Sequence, residues 1–196
     1  GEPMPRIYSV EKRQEIVILF MMVGLELIRR NGRKKMRIHE LTKRVGIAQG
    51  TFYNFFNSKE MLVYALADSY QQSIKDKLEE IIQTKGYLER NDLRELYNCM
   101  FLKDEHNVYR FLTREDLQNL STRLPSDCLY KMTDIKTTME TNLRHVREKK
   151  EPYDLDAVIN WLQLMNLTIQ NKDILVETGI EKIILQLIEN MLDELF

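Results

Sequence analysis

The chain has 196 residues, 43% apolar and 30% charged, a composition that suits a folded protein with a sizeable core and excludes a disordered chain. It holds only seven glycines and four prolines, and no run of alternating β-branched residues appears, so the predicted fold is all-α. The first 60 residues carry 12 lysines and arginines against 6 aspartates and glutamates, whereas the remaining 136 carry 17 against 24. This division is typical of a basic nucleic-acid-binding end joined to an acidic body, although a solvated basic surface produces the same count.

The N-terminal third contains a succession of short helical patterns. Apolar residues recur every three or four positions from about residue 10 to residue 30, which predicts a first amphipathic helix. A second short helix ends at Gly46, and a third is predicted from Ala48 to Phe56. Ser58 is a good N-cap for a long fourth helix that continues past residue 80. Two short helices joined by a glycine-containing turn, in a basic region, meet the description of a helix-turn-helix.

The remainder of the chain predicts further helices at about 92–103, 107–122, 126–149, 154–171 and 178–196. Cys99 and Cys128 have neither a CxxC spacing nor a third ligand nearby, so we expect no metal site, disulfide framework or cofactor. The apolar stretch from Ile16 to Leu25 is too short to span a bilayer and precedes no small-residue cleavage site. We therefore expect a cytoplasmic protein with no membrane partner.

Residues 37–62, with the sequence RIHELTKRVGIAQGTFYNFFNSKEML, closely resemble the signature segment of TetR-family transcriptional regulators. The matching positions are Leu41, Val45-Gly46-Ile47, Gly50-Thr51-Phe52-Tyr53, Phe56, Ser58-Lys59-Glu60 and Leu62. With the first helix included, the resemblance covers about residues 10–66, and the rest matches only in length and helical character. It implies a three-helix DNA-binding domain over residues 1–58, joined by the fourth helix to a C-terminal effector-binding and dimerisation domain over residues 59–196.

Several side chains of this segment are candidate DNA contacts. Glycine at position 50 lets the backbone approach a phosphate, hydroxyl groups follow it, and a lysine lies near the start of the fourth helix, where anions are favoured. Amide side chains suit base edges in the major groove. The predicted DNA-binding residues are Arg37, His39, Gln49, Gly50, Thr51, Tyr53, Asn54, Phe55 and Lys59. Of these, Phe55 is equally compatible with packing, and His39 with a solvated helix surface.

The segment departs from the family pattern at two helix starts. Ala48 stands where most members have a capping Ser or Thr, and Arg37 replaces the usual Thr at the start of the second helix. Because the apolar framework is intact, these changes concern capping and DNA target more than fold.

The resemblance also implies a homodimer and a small-molecule effector, which aromatic and methionine side chains would suit if it is apolar or aromatic. The predicted pocket residues are Tyr70, Tyr97, Phe101, Phe111, Tyr130, Met139 and Trp161. The predicted dimer interface comprises Val158, Leu162, Met165, Ile184, Leu187, Ile188, Met191 and Leu195. Both sets are equally compatible with an ordinary monomer core.

The leading functional hypothesis is a dimeric repressor that binds a palindromic double-stranded operator and responds to an effector. A DNA-binding regulator whose body binds a partner protein remains an alternative. An all-α enzyme is disfavoured, because no triad, paired acids, phosphate loop or metal spacing can be assembled.

Overall fold

The computed structural model describes residues 8–128 and 135–196, and it divides into two compact units. One unit ends at Leu66 and the other begins at Ala67. The division falls inside helix α3, which runs without interruption from Lys59 to Lys85. The domain boundary at residue 58 remains a sequence-based prediction.

The first unit contains helices α1 (Val10–Asn31) and α2 (Ile38–Val45) and the first turns of α3. Ser9 caps α1 by accepting a hydrogen bond from the Lys12 amide, and Ser58 accepts one from the Met61 amide as predicted for the start of α3. Gly46 ends α2 in the left-handed conformation with φ of 80°. These helices share a buried core that includes Ile16, Phe20, Leu27, Leu41, Phe52, Leu62 and Val63.

Helices α1 and α3 approach each other closely at Gly24. A Cβ on Gly24 would lie 3.0 Å from the Leu62 Cδ2 atom, so the leucine side chain would have to shift by a few tenths of an ångström. The small residue therefore sets how closely the two helices pack.

Within the part of the chain that the structure describes, the second unit contains the remainder of α3 and several further helices. These are α4 (Arg90–Asn98), α5 (Arg114–Arg123), α6 (Ile135–Leu143), α7 (Leu155–Gln170) and α8 (Glu177–Leu195). The described residues form no β-strand, and a single isolated bridge joins Leu88 to Val146. The all-α prediction is confirmed. No helix within 8–128 or 135–196 is both long and apolar enough to cross a membrane.

Three of the predicted helices differ from the observed ones. The helix predicted from Ala48 to Phe56 is a six-residue 3₁₀ segment, Gln49–Asn54, closed by bonds such as Thr51 N to Ala48 O at 3.0 Å. The helix predicted at 107–122 is broken into a 3₁₀ turn at Val108–Phe111 and α5, because Thr113 forms a capping box with Asp116. The helix predicted at 126–149 ends by Leu143, after which Val146 takes part in the bridge.

Most residues of the predicted dimer interface lie in the core of the second unit. Helices α7 and α8 pack against each other and leave these side chains at most 7% exposed. A side chain without accessible surface has none to bury against a second copy. The residues are Val158, Leu162, Met165, Ile184, Ile188, Met191 and Leu195. Leu187 is half-buried at the edge of the same core.

Candidate nucleic-acid interface

The 3₁₀ segment Gln49–Asn54, termed here the recognition segment, lies directly after the turn that ends α2. Gly46 and Ile47 both donate their amides to the Thr42 carbonyl, at 2.9 and 3.0 Å, which fixes the turn. The buried Thr42 side chain donates in turn to the Ile38 carbonyl at 3.0 Å, which satisfies its hydroxyl. The helix-turn-helix predicted from the sequence is therefore present, with a shorter second helix.

An aromatic cluster holds the recognition segment against α1. The Phe52 ring is fully buried and meets the Phe20 ring edge-on, with centroids 5.3 Å apart. Phe56 contacts the same two rings at centroid distances of 5.7 and 5.9 Å. Edge-to-face aromatic pairs add specific geometry to the burial of large apolar area. The cluster consequently determines which side of the segment faces the interior and which faces solvent.

The opposite side of the recognition segment is polar and exposed. Gln49, Gly50, Tyr53 and Asn54 are all exposed, and the Tyr53 ring retains 56% of its accessible surface. A Cβ placed on Gly50 would meet no atom within 4 Å. The packing of this unit therefore imposes no need for glycine there, which leaves close approach of a ligand as a reason for it.

The other predicted contacts are distributed around this face. Arg37 and His39 are exposed at the start of α2, where Arg37 provides no side-chain cap, and Thr51 is half-buried. Ala48 likewise provides no side-chain cap to the recognition segment, as its sequence predicts. Lys59 is half-buried, and its Nζ atom donates to the Met36 carbonyl at 3.0 Å.

The Phe55 side chain is half-buried and packs within the first unit, as its packing alternative predicts. Its ring lies 5.8 Å from that of Phe20 and 5.9 Å from that of Tyr8. The Arg13 guanidinium covers it at 5.0 Å. These contacts occupy part of the ring, and its contact with DNA stays a prediction.

Sequence reasoning missed two arginines that shape this unit. Arg13 donates from Nη2 to the Asn54 carbonyl at 2.9 Å, and Arg33 forms a buried ion pair with Glu60. Both contacts join residues more than 25 positions apart in the chain. No local pattern in the sequence indicates them. One depends on how α1 packs on the recognition segment, and the other on how the turn after α1 meets α3.

The predicted effector pocket in the second unit is not supported at its central residues. Tyr97, Phe101 and Met139 are at most 5% exposed within the core, and the Tyr97 hydroxyl donates to the Met139 sulfur at 3.5 Å. Burial raises the pKa of Tyr97 well above its usual value. Side chains packed against one another in this way leave no room for a ligand between them.

The other predicted pocket residues have different surroundings. Phe111 is half-buried beneath Arg110 and Lys172, and Trp161 packs at the edge of the core. Tyr130 lies outside the described residues. Tyr70 is buried, and its hydroxyl has no partner in hydrogen-bond geometry among the described residues. Burial, followed by the nearby Asp104 charge, raises the Tyr70 pKa well above its usual value.

A cleft of about 530 Å³ lies between α3 and α4 of this unit. Its lining includes none of the six described pocket residues. The apolar lining consists of Ile74, Ile81, Leu96 and Cys99, and the charged lining includes Lys77, Glu80, Lys85, Asp92 and Glu95. Asn98, beside Cys99, has a buried side-chain oxygen with no described hydrogen-bond partner. At Cys99 the α-helix also widens into a π-helical turn, Cys99–Lys103, a feature frequent at functional sites.

Comparisons with known proteins agree with this architecture. A family model described as bacterial regulatory proteins of the tetR family matches residues 21–66. YvdT of Bacillus subtilis (strain 168), an uncharacterized HTH-type transcriptional regulator, is 34% identical over 58 residues. That match spans 30% of this chain and 30% of the relative's own length.

Solved structures extend the likeness of fold to nearly the whole chain. The fatty acid degradation regulator FadR from Bacillus halodurans gives a TM-score of 0.61 at 16% identity, over 95% of this chain and 97% of that one. A TetR transcriptional regulator from Rhodococcus sp. RHA1 gives 0.55 at 19% identity, over 95% and 99%. Both solved structures are described as regulators. The helix-turn-helix segment is thus similar to the tetR family of bacterial regulatory proteins over residues 21–66, and the all-α fold of the chain is similar to that of solved regulators of this type.

Proposed function

We propose that this protein is a repressor that binds a palindromic DNA operator as a homodimer and is released or altered by a small-molecule effector. The observation that carries the DNA-binding part is the exposed polar face of the recognition segment, supported from behind by the aromatic cluster. A flat polar surface on a rigid apolar base can enter a groove without rearranging the unit that presents it.

The residues of this face divide into two roles. Gly50, Thr51 and Tyr53 contact phosphates through a backbone amide and two hydroxyl groups, which orients the protein but conveys no sequence. Gln49 and Asn54 read base edges in the major groove, where an amide can pair with adenine N6 and N7. Arg37 and His39 add contacts at the start of α2. Lys59 contributes positive charge. Its bond to the Met36 carbonyl positions the basic turn Arg33–Lys35, which directly precedes Met36.

The dimer brings two recognition segments about 34 Å apart on one face of the DNA. The exposed sides of α7 and α8 offer the surface for this association. Leu164 and Leu167 on α7 and Ile183 on α8 each retain 45% of their accessible surface, and Leu185 retains 40%. Large apolar side chains on adjoining exposed helix faces favour a bundle with the same helices of a second copy.

The effector binds in the α3–α4 cleft, whose volume is within the range of small-molecule sites. Its apolar lining suits a hydrophobic body. The charged lining, which includes Lys77 and Glu95, favours a ligand that also carries a polar group. Binding of a partner protein to the second unit is the alternative that an absence of small-molecule response would favour.

Selection of DNA from a random-sequence pool by the purified full chain tests the proposal. We expect a symmetric consensus whose affinity falls steeply with salt concentration. Tyr53→Phe should weaken binding to all sequences by a similar factor, whereas Gln49→Ala should relax preference at one base pair of each half-site, by about 1–3 kcal/mol. Recovery of no consensus at any salt concentration would exclude an operator-binding regulator.

A further inference from the structure

Arg13 contacts the C-terminal end of the recognition segment from α1. Its Nη2 atom donates to the Asn54 carbonyl at 2.9 Å, and its guanidinium lies 5.0 Å from the centre of the Phe55 ring. The side chain is exposed, so these contacts are made at the surface of the first unit. One planar group therefore holds two consecutive residues through two different interactions.

The other contacts at this end are the packing of the Phe55 ring and the bonds of the Phe55 and Phe56 amides to the Phe52 carbonyl. It is a six-residue 3₁₀ helix without a side-chain cap at Ala48, and such helices have weaker hydrogen-bond geometry than α-helices. Phe52 anchors its middle in the core, and Phe56 anchors the chain beyond it. Between these two anchors, the described contact to the backbone of Asn54 comes from Arg13.

We propose that Arg13 is a positioning residue for DNA recognition, which fixes the backbone at Asn54 and Phe55 and so orients the Asn54 amide toward a base edge. The inference depends on the proposed function, because it assigns a role within the same DNA-binding face. Arg13 acts through Asn54 and does not itself read sequence. Since base readout requires placement of the amide within a fraction of an ångström, a small loss of order at this position reduces sequence discrimination before it reduces overall stability.

The first test needs no DNA and measures amide hydrogen exchange in the free protein. The Phe55 and Phe56 amides donate to the Phe52 carbonyl at 3.0 and 3.1 Å, and their protection reports the order of this end. Arg13→Gln should reduce their protection about five- to tenfold, while the thermal unfolding midpoint stays close to that of the native chain. Unchanged protection of both amides in Arg13→Gln would overturn the positioning role of Arg13.

Lys12→Gln is the matched control for charge. Lys12 precedes Arg13 on α1, is exposed and pairs with Glu15 at 2.8 Å, so this variant removes the same charge without touching the recognition segment. It should leave the protection of both phenylalanine amides unchanged. An equal loss of protection in Lys12→Gln would attribute the effect to α1 charge and overturn the assignment to Arg13.

The second test compares affinity for the selected consensus DNA with affinity for a scrambled duplex across a salt series. Arg13→Gln should lower the ratio of the two affinities about tenfold, while the salt dependence of scrambled-DNA binding stays unchanged. Arg13→Lys should recover little of the ratio, because an ammonium lacks the planar face that covers Phe55.

A parallel loss of affinity for both duplexes, with a smaller salt slope and rescue by Arg13→Lys, would instead identify Arg13 as a phosphate contact and overturn the positioning role. If the native chain selects no consensus, the proposed function fails. The exchange measurement still decides whether Arg13 orders the end of the recognition segment.

Discussion

Arg33 and Glu60 form an ion pair inside the first unit, with Nη1 and Oε1 3.4 Å apart and side chains that are only 8% and 7% exposed. The pair joins the short basic turn after α1 to the first turn of α3. Arg33 lies in the basic N-terminal part of the chain, yet its charge is paired in the interior. A buried pair of this kind is costly to break, because replacement of one charge by a neutral group removes an attraction that solvent does not screen.

Glu60→Gln should therefore destabilise the protein strongly, with about 3 kcal/mol lost from the free energy of unfolding. Urea denaturation followed by circular dichroism measures this change. Glu15→Gln is the control, because the Lys12–Glu15 pair is exposed and should contribute less than about 1 kcal/mol. Equal effects of the two substitutions would show that the buried pair contributes no more than a surface pair.

Gly50→Ala should separate folding from DNA binding. The added methyl group meets no atom within 4 Å, so the free energy of unfolding should change by less than about 1 kcal/mol. Affinity for consensus DNA should fall by about tenfold or more, because the methyl group would stand between the backbone and a phosphate. Gly179→Ala on α8 provides the matched control, since its added Cβ also meets open space. Retention of full DNA affinity by Gly50→Ala would show that no DNA phosphate lies against the Gly50 backbone.

Leu164→Glu combined with Ile183→Glu should convert a dimer into a folded monomer. Both side chains are 45% exposed, so a charge there remains hydrated in the single chain but is desolvated at an interface. Sedimentation and light scattering report the mass, and circular dichroism reports the helix content. Gln118→Glu on the exposed surface of α5 should leave the mass unchanged. A double variant that remains dimeric would show that the dimer forms through another surface.

The stability of the second unit should depend on pH through Glu189. Hydrogen bonds from Arg94 at 2.5 Å and then from Arg90 at 3.0 Å lower the pKa of the Glu189 carboxyl from 4.5 to about 2. Because the folded state binds the proton less tightly than the unfolded state, this contribution is present above pH 4.5 and is lost as the pH falls toward 2.

The Glu189 side chain is 37% exposed, so solvent screening limits the effect to less than about 1 kcal/mol. Glu189→Gln should flatten this part of the profile of unfolding free energy against pH. Glu181→Gln, at an exposed position of the same helix, serves as the control and should leave the profile unchanged. A profile of Glu189→Gln that matches the native one would mean that the arginine contacts contribute nothing in solution.

Tyr70→Phe and Tyr97→Phe should affect stability in opposite directions. The Tyr70 hydroxyl is buried without a hydrogen-bond partner, so its removal should raise the free energy of unfolding by about 1 kcal/mol. The Tyr97 hydroxyl donates to the Met139 sulfur, and its removal should be neutral or slightly destabilising. Thermal denaturation of the two variants measures the difference. A clear loss of stability in Tyr70→Phe would indicate that the hydroxyl is already satisfied in the free protein.

Much of the first unit could be predicted from local sequence, because the residues that mark its helices lie within a few positions of one another. The spacing of apolar residues predicts α1 and α2, and Gly46 and Ser58 mark where one helix ends and another begins. The exposed face of the recognition segment follows from the positions of Phe52 and Phe56. The 3₁₀ geometry could not be predicted, since it depends on how Phe52 and Phe56 pack the segment against α1.

The second unit was less predictable. Periodicity identifies the apolar face of each of its helices but not the element that covers that face. The apolar stripe of α8 predicts a buried face, but the stripe alone does not say whether the same chain or a second copy covers it. The structure places Ile184 and Ile188 in the monomer core and leaves Ile183 exposed. A displacement of one position around the helix thus separates a core residue from a candidate interface residue.

The sequence by itself determined the all-α class, the helix-turn-helix and the resemblance to TetR-family regulators, because composition, helical spacing and a 26-residue segment encode these locally. Only the tertiary structure decided that Arg13 holds Asn54, that Arg33 is paired in the interior and that Phe55 packs inward. Each of these depends on the path of the chain between residues far apart in sequence, and periodicity within one helix carries no information about that path.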